Sequence, residues 1–112
     1  MGYIRHEALI VTISERYIGK LEELALSIFP SCEVGSVSSR INGYKTVFIG
    51  PDGSKEGWED SDDGDEQRES FLRRLSGSFY EEFGYPAIVR VKYGLDDGCA
   101  TVRFIDAFGD EF

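Results

Sequence analysis

The dipeptide Asn42-Gly43 separates two segments that read as strands, residues 34–41 and 44–49. A two-residue hairpin turn requires positive φ at both of its central positions, which Asn and Gly tolerate better than other residues. The sequence therefore predicts an antiparallel hairpin, and the fold must contain a sheet in which these two strands are neighbours.

Residues 6–13 form a β-branched run with apolar residues on both of its faces. Such a run is typical of a strand inside a sheet, so we predict it to be the first and central strand. A helix of about 14 residues is expected to follow, with Ser14 as its N-cap and Pro30 preventing its continuation. The apolar residues that recur there at helical spacing are Ile18, Leu21, Leu24, Ala25 and Ile28.

A second helix is predicted after a polar loop. Pro51-Asp52-Gly53 interrupts the chain, and residues 54–64 are rich in Asp, Ser and Gly, which favours an exposed loop. The helix is expected to begin near Asp65, with carboxylates in its first turns where the helix dipole stabilises them, and to end at Gly84. Its predicted buried stripe consists of Phe71, Leu72, Leu75, Phe79 and Phe83.

Residues 87–93 and 99–105 are predicted to form a second hairpin, because both segments alternate inward and outward positions. The expected order is strand, helix, strand, strand, helix, strand, strand. This order indicates an α+β fold with a ferredoxin-like antiparallel sheet, βαββαβ plus one extra C-terminal strand. Two helices should cover one face of the sheet and leave the other face open to a ligand or a second copy of the chain.

Length and charge restrict the class of protein. At 112 residues and 41% hydrophobic, the chain is predicted to form a single domain over residues 1–112. Its 12 basic and 21 acidic residues give a net charge of −9, which disfavours binding to large nucleic acids. A small anion is different, because a few cations in one pocket can dominate the local potential. The apolar runs are far shorter than the roughly 20 residues that a membrane span requires.

The sequence contains no recognisable catalytic or metal-binding motif. The acidic residues 59–69 do not match the calcium-loop pattern, and a solvated helix start is the favoured interpretation. No P-loop, nucleophile elbow or dinucleotide fingerprint is present, and Cys32 and Cys99 lack metal-ligand spacing. We therefore expect an intracellular protein with reduced cysteines that is not an enzyme and needs no cofactor.

The loop after the second hairpin strand carries candidate binding residues. Lys55 and Trp58 lie in this loop and, together with Tyr44, offer a cation for a phosphate and aromatic faces for a base. In the alternative arrangement, Trp58 packs over the end of the sheet while Lys55 projects into water.

Two further segments are predicted to approach this loop. Arg5 and His6 open the first strand, which should lie beside a strand of the later hairpins, although a lone histidine is more often a surface or edge residue. Arg68 lies near the predicted edge of the core. It should either face the same pocket as the loop or pair with Asp65 or Glu69.

The sequence resembles a widespread family of small bacteriophage proteins. The blocks that carry the resemblance are Gly2-Tyr3-Ile4-Arg5-His6, Asn42-Gly43-Tyr44, and Pro51-Asp52-Gly53-Ser54-Lys55-Glu56-Gly57-Trp58 through Ser61, Gly64, Asp65 and Arg68. Family members often carry a second histidine where this chain has Glu7, so no role that requires a histidine pair is expected. The resemblance further suggests phage anti-CBASS sponges, which bind cyclic-nucleotide immune signals without degrading them.

A sponge of this kind implies a cyclic di- or trinucleotide ligand in the host cytoplasm. It acts by affinity and abundance and needs no nucleophile, metal or cofactor. The resemblance also implies a homodimer or a larger symmetric homo-oligomer. The implied ligand-binding residues are Arg5, Lys55 and Arg68 for phosphates, Tyr44 and Trp58 for base stacking, and His6, Ser54, Ser61 and Asp65 for hydrogen bonds.

Two other functions stay open on the sequence alone. The first is a protein-directed inhibitor that mimics DNA and binds a basic patch on a host nuclease or polymerase, which the net charge of −9 favours. Such mimicry has no need of Arg5, Lys55, Trp58 or Arg68. The second is a nucleotide hydrolase, which would require a metal or a general base that the sequence does not reveal.

Overall fold

In the part of the chain that the structure describes, a five-stranded antiparallel sheet and two α-helices form the fold. The computed structural model of the chain describes residues 6–53, 59–75, 83–94 and 101–105, and for residues 60, 61, 104 and 105 it describes the backbone alone. The helices and strands are, in chain order, β1 (His6–Ser14), α1 (Ile18–Ile28), β2 (Val34–Ser38), β3 (Tyr44–Ile49), α2 (Glu59–Leu75), β4 (Ala87–Tyr93) and β5 (Thr101–Ile105).

The strand order across the sheet is β2-β3-β1-β4-β5, and every neighbouring pair is antiparallel. The helix α1 connects β1 to β2, and β3 lies between these two strands in the sheet. The helix α2 connects β3 to β4, and β1 lies between them. This double insertion is the split β-α-β arrangement. The predicted α+β fold with a ferredoxin-like sheet is thus confirmed, with β5 extending the sheet at one edge. β1 is central, as its apolar residues on both faces predicted.

One face of the sheet packs against both helices. In β1, the odd-numbered residues Leu9, Val11 and Ile13 are at most 1% exposed and belong to the same buried cluster as residues of α1 and α2. The prediction that both helices cover one face is therefore confirmed. The other members of this core are Leu21, Ala25, Phe29, Val47, Ile49, Phe71, Leu72, Leu75, Phe83 and Ile88.

Neither helix covers the other face of the sheet, which we call the open face. The Thr12 and Thr46 hydroxyls lie 2.9 Å apart on this side, and Ile10 is in register with Phe48 on β3 and Val89 on β4. The open face comprises residues 6, 8, 10, 12 and 14 of β1, 35 and 37 of β2, 44, 46 and 48 of β3, 87, 89, 91 and 93 of β4, and 102 of β5.

The predicted hairpin forms, but its connection is longer than two residues. Asn42 and Gly43 both have positive φ, 68° and 63°, as the predicted turn requires. However, β2 ends at Ser38 and β3 begins at Tyr44, so residues 39–43 form the connection, and the Ser39 N–H donates to the Tyr44 carbonyl over 2.9 Å. The Glu15 N–H donates to the Gly43 carbonyl over 2.8 Å, which ties this turn to the residue after β1.

The start of α2 corrects the sequence prediction. The helix begins at Glu59 rather than near Asp65, so residues 59–64 are helical and not part of a loop. The helix dipole stabilises carboxylates in these first turns. Gly64 is buried where α2 approaches Asp52, and a Cβ there would meet the Asp52 carboxylate. Composition alone favoured a loop because Asp and Gly are turn residues, whereas this close approach depends on tertiary packing.

The start of α1 also differs from the prediction. A 3-10 turn at Glu15–Tyr17 precedes the helix, and Ser14 belongs to β1. The Ser14 side chain makes no capping hydrogen bond, so the predicted N-cap is wrong.

Among the described residues, no helix is long and apolar enough to cross a membrane. Cys32 is a free, exposed thiol, and Cys99 lies outside the described residues.

Candidate functional site

Charged side chains gather on the helix-facing side of the sheet, at the end where β1 begins. There Glu7 continues the inward-facing series of Leu9 and Val11, and it is only 3% exposed. A buried carboxylate is tolerated only where cations and hydrogen bonds compensate its lost hydration. Two arginines supply this compensation.

Arg68 and Arg90 hold the Glu7 carboxylate from two elements, α2 and β4. Nε of Arg90 donates a hydrogen bond to Oε1 of Glu7. Nε of Arg68 lies 3.3 Å from Oε2 of Glu7, outside hydrogen-bond geometry. The side chains of Arg68 and Arg90 are 6% and 12% exposed, so water and salt screen these charges little.

Three further carboxylates among the described residues surround the two arginines. Nη2 of Arg68 donates to Oδ1 of Asp65 over 2.6 Å, and Nη1 of Arg68 lies 3.7 Å from Oδ2 of Asp52. Nη2 of Arg90 lies 2.7 Å from Oε1 of Glu69. Arg68 therefore shows the pairing with Asp65 that the sequence left open as one alternative. We refer to Glu7, Asp52, Asp65, Arg68, Glu69 and Arg90 as the ion-pair cluster.

A cavity of about 210 Å³ adjoins the ion-pair cluster on β4 and β5. Arg90 is in register with Leu9 and Arg103, and Lys92 is in register with Glu7 and Thr101, so these side chains share the helix-facing side. Guanidinium, ammonium and hydroxyl groups are donors that proteins use to bind phosphate. We call this cavity the basic pocket; its lining residues are Arg90, Lys92, Thr101 and Arg103.

The cations of the basic pocket are placed unfavourably towards one another. Arg90 and Arg103 are directly opposite across β4 and β5, and like charges in that position destabilise an antiparallel pair. Arg90 is held by Glu7 and Glu69. Among the described residues, by contrast, no carboxylate pairs with Lys92 or Arg103, and Nη1 of Arg103 donates to the Val102 carbonyl over 3.2 Å. A bound anion would remove this repulsion.

His6 lies on the open face, across the sheet from the ion-pair cluster. It is in register with Tyr93, and the two ring centroids are 5.4 Å apart. Its Nδ1 is buried without a hydrogen-bond partner among the described residues. The structure therefore places His6 beside Tyr93 and not beside Asp65 or Arg68.

Tyr44 also lies on the open face, but at the other end of β1. It is in register with Ser14, the last residue of β1, whereas His6 is the first. A rise of about 3.3 Å per residue separates these two ends by about 26 Å. The described candidate residues thus occupy three places: Asp65 and Arg68 are together, and Tyr44 and His6 are each apart from them.

Several predicted binding residues lie outside the described residues. These are Arg5, Ser54, Lys55, Trp58 and the side chain of Ser61. Asp52, which lies two positions before Ser54 in the chain, belongs to the ion-pair cluster. The roles of Lys55 and Trp58 in ligand binding stay predictions.

The sequence analysis did not single out the residues of the basic pocket. One signal was available, because Glu7 is in phase with the inward-facing apolar residues of β1 and so places a carboxylate on the core face. Arg90 and Lys92 are in phase with the buried Ile88 in the same way. Arg103 joins them only through the pairing of β4 with β5, which the sequence of either strand does not specify.

Glu33 adds another carboxylate near the ion-pair cluster. Burial raises the pKa of the Glu33 carboxyl above its ordinary value, the Asp52 carboxylate raises it further, and Arg68 lowers it. The folded state therefore binds this proton more tightly than the unfolded state does. At neutral pH the charged form of Glu33 opposes folding, and this opposition fades as the pH falls through the raised pKa.

We therefore expect Glu33→Gln to stabilise the protein at neutral pH and to lose this advantage below about pH 4.3, where the carboxyl is protonated in both states. Thermal unfolding of both proteins across this pH range measures the difference. Glu23→Gln, at an exposed position of α1, is the matched control. An increase in stability from Glu33→Gln that is the same at every pH would contradict the prediction.

Comparison of the chain with protein-family models, with curated proteins and with solved structures gave no match.

Proposed function

We propose that this chain is a binding protein that captures a small phosphorylated ligand in the basic pocket and leaves it chemically unchanged. The observation that supports the proposal is the gathering of Arg90, Lys92 and Arg103 around one cavity in a chain of net charge −9. In so acidic a chain, every cation has many carboxylates to pair with. Lys92 and Arg103 nevertheless line the same cavity as Arg90 with no carboxylate partner of their own among the described residues, which favours an anion from outside the chain.

The ligand class that we propose is a cyclic di- or trinucleotide, whose capture would withdraw an immune signal during phage infection. The basic pocket, at about 210 Å³, is smaller than the roughly 300 to 1,000 Å³ of sites that enclose a whole small ligand. It therefore suits one phosphate group with part of its sugar. Base recognition requires contacts beyond the pocket, and Trp58 stays a predicted stacking partner.

A protein-directed inhibitor is the second candidate, and the acidic start of α2 favours it. Glu59, Asp62, Asp63 and Glu66 are exposed there, so this helix end presents the sign of charge that a basic protein surface attracts. Such an inhibitor would have no use for the basic pocket. Affinity for cyclic nucleotides therefore distinguishes the two candidates.

Charge reversal in the pocket tests the proposal. Arg103→Glu should weaken binding of the best ligand in a panel of cyclic di- and trinucleotides by about 10- to 100-fold, because a hydrogen bond to a charged group contributes about 1.5 to 3 kcal/mol. Isothermal titration calorimetry measures this change. Arg73→Glu is the matched control, since Arg73 is an exposed arginine in the last turn of α2 and the change in net charge is the same.

Three outcomes would count against the proposal. Equal weakening by Arg103→Glu and Arg73→Glu would mean that overall charge, not the pocket, governs affinity. No binding of any cyclic nucleotide would favour the protein-directed inhibitor. Chromatography of the recovered ligand covers the remaining case, because a changed ligand would indicate a hydrolase.

A further inference from the structure

The open face is uncharged in a strongly charged protein. None of its described positions holds Asp, Glu, Lys or Arg, although 29% of the residues in the chain are charged. The large hydrophobic side chains that are exposed on this face are Val37, Tyr44, Phe48, Tyr93 and Val102. Contiguous apolar surface of this kind marks an interaction site.

Charge identifies the partner that such a face fits. Two copies of a chain with a net charge of −9 repel each other wherever acidic surfaces meet. In a twofold dimer each surface meets its own copy, so the contact must be free of like charges to be favourable. The open face meets this requirement, and at its described positions it offers a basic partner no carboxylate with which to form an ion pair.

The size of the face is also sufficient for a dimer. The five strands are spaced about 4.8 Å apart and are five to nine residues long, about six on average, so they cover roughly 24 by 21 Å, or about 500 Å² in projection. Side chains project from the sheet, so the accessible area of the face is larger than this projected area. Specific interfaces bury about 600 to 1,000 Å² on each partner, so the open face is near the lower end of this range.

We propose that two copies of this chain associate through their open faces, with the sheets packed face to face about a twofold axis. Aligned sheets pack about 10 Å apart, with their strands inclined by about 30°. Ile10, Phe48 and Val89, which are in register across β3, β1 and β4, form the centre of the contact. The basic pockets lie on the opposite side of each sheet, so both stay accessible in the dimer.

The dimer should strengthen as salt is added. The residual repulsion between two acidic chains is screened over a Debye length of about 8 Å at physiological ionic strength and over a shorter length at higher salt. Apolar contact does not weaken under these conditions. An association driven by basic groups on one copy and acidic groups on the other would weaken instead.

Sedimentation equilibrium of the full chain at increasing concentration tests the proposal. The wild-type chain should reach twice the monomer mass, and Phe48→Glu should raise the dimer dissociation constant by on the order of 100-fold or more, because each dimer would bury two unpaired carboxylates. Val37→Glu, at the edge of the face, should raise it by on the order of tenfold. Leu26→Glu is the matched control, because Leu26 on α1 and Val37 are 52% and 54% exposed.

The exposed position of Val37 keeps the test valid if Phe48→Glu does not fold. A wild-type chain that stays monomeric at about 100 µM would overturn the proposal, because this concentration is well above the micromolar dissociation constants of weak dimers. So would a dimer that persists in both variants, which would place the contact elsewhere, for example at the edge strand β2. Calorimetry with cyclic nucleotides reports on the basic pocket separately, so either proposal can fail while the other stands.

Discussion

Replacing Glu7 with glutamine should lower the free energy of unfolding by about 3 to 5 kcal/mol, the usual effect of removing one partner from a buried ion pair. Glu7 contacts Arg68 and Arg90 at once, and its side chain is only 2% exposed. Glutamine keeps the shape of the side chain but leaves both guanidiniums without this shared counter-charge. Urea unfolding followed by circular dichroism measures the loss.

Glu69→Gln is the matched control for this prediction. Glu69 also pairs with Arg90, over 2.7 Å, but its side chain is 48% exposed. Removal of an exposed ion pair should change the free energy of unfolding by about 0 to 1 kcal/mol. Equal losses of unfolding free energy in the two variants would show that burial of Glu7 is not what makes its ion pairs important.

The double variant Glu7→Gln/Arg68→Met should lose less unfolding free energy than the sum of the losses in the two single variants, because the two residues are in direct contact.

Phe71→Ala should lower the free energy of unfolding by a similar amount, about 3 to 5 kcal/mol, through the cavity left in the core. Phe71 is fully buried, and its ring meets that of Phe29 edge to face with centroids 5.5 Å apart. A domain of this size has about 5 to 15 kcal/mol of stability in total. Phe71→Ala would therefore remove between about a fifth and all of the stability of the protein.

Phe48→Ala is the matched control for Phe71→Ala, because it makes the same substitution at an exposed position. Phe48 is 40% exposed on the open face, so its loss should reduce the free energy of unfolding by less than about 1 kcal/mol. The unfolding of both variants should be measured at a low protein concentration, so that dimer formation does not contribute to the measured stability. Similar losses in the two variants would mean that the helix-facing core does not dominate the stability of the fold.

The arrangement of elements was predictable because local signals agreed with one another. Both φ angles at Asn42 and Gly43 have the predicted sign. Pro30 follows the end of the first helix as expected, and the doubly apolar β1 is the central strand. The start of α2 was not predictable, because Gly64 is required by the close approach of Asp52, and that contact joins segments whose spatial proximity no local pattern specifies.

The candidate site was less accessible to prediction than the fold. Residue type drew attention to Lys55 and Trp58, which lie outside the described residues. Arg90, Lys92 and Arg103 looked like ordinary strand residues, because their proximity depends on which strands pair and in what register. For Arg68 the sequence allowed two arrangements, and the structure shows the ion pair with Asp65, whereas the shared pocket with Lys55 involves a residue outside the described ones.

Arg90 belongs to the ion-pair cluster and to the basic pocket at the same time. Under the proposed function, a substitution of Arg90 that changed its contact with the ligand would also remove a counter-charge of the buried Glu7 carboxylate. A substitution of Lys92 or Arg103 would not have this effect, because neither residue pairs with a carboxylate among the described residues. We therefore expect that variants selected for a different phosphorylated ligand would change at positions 92 and 103 and retain Arg90.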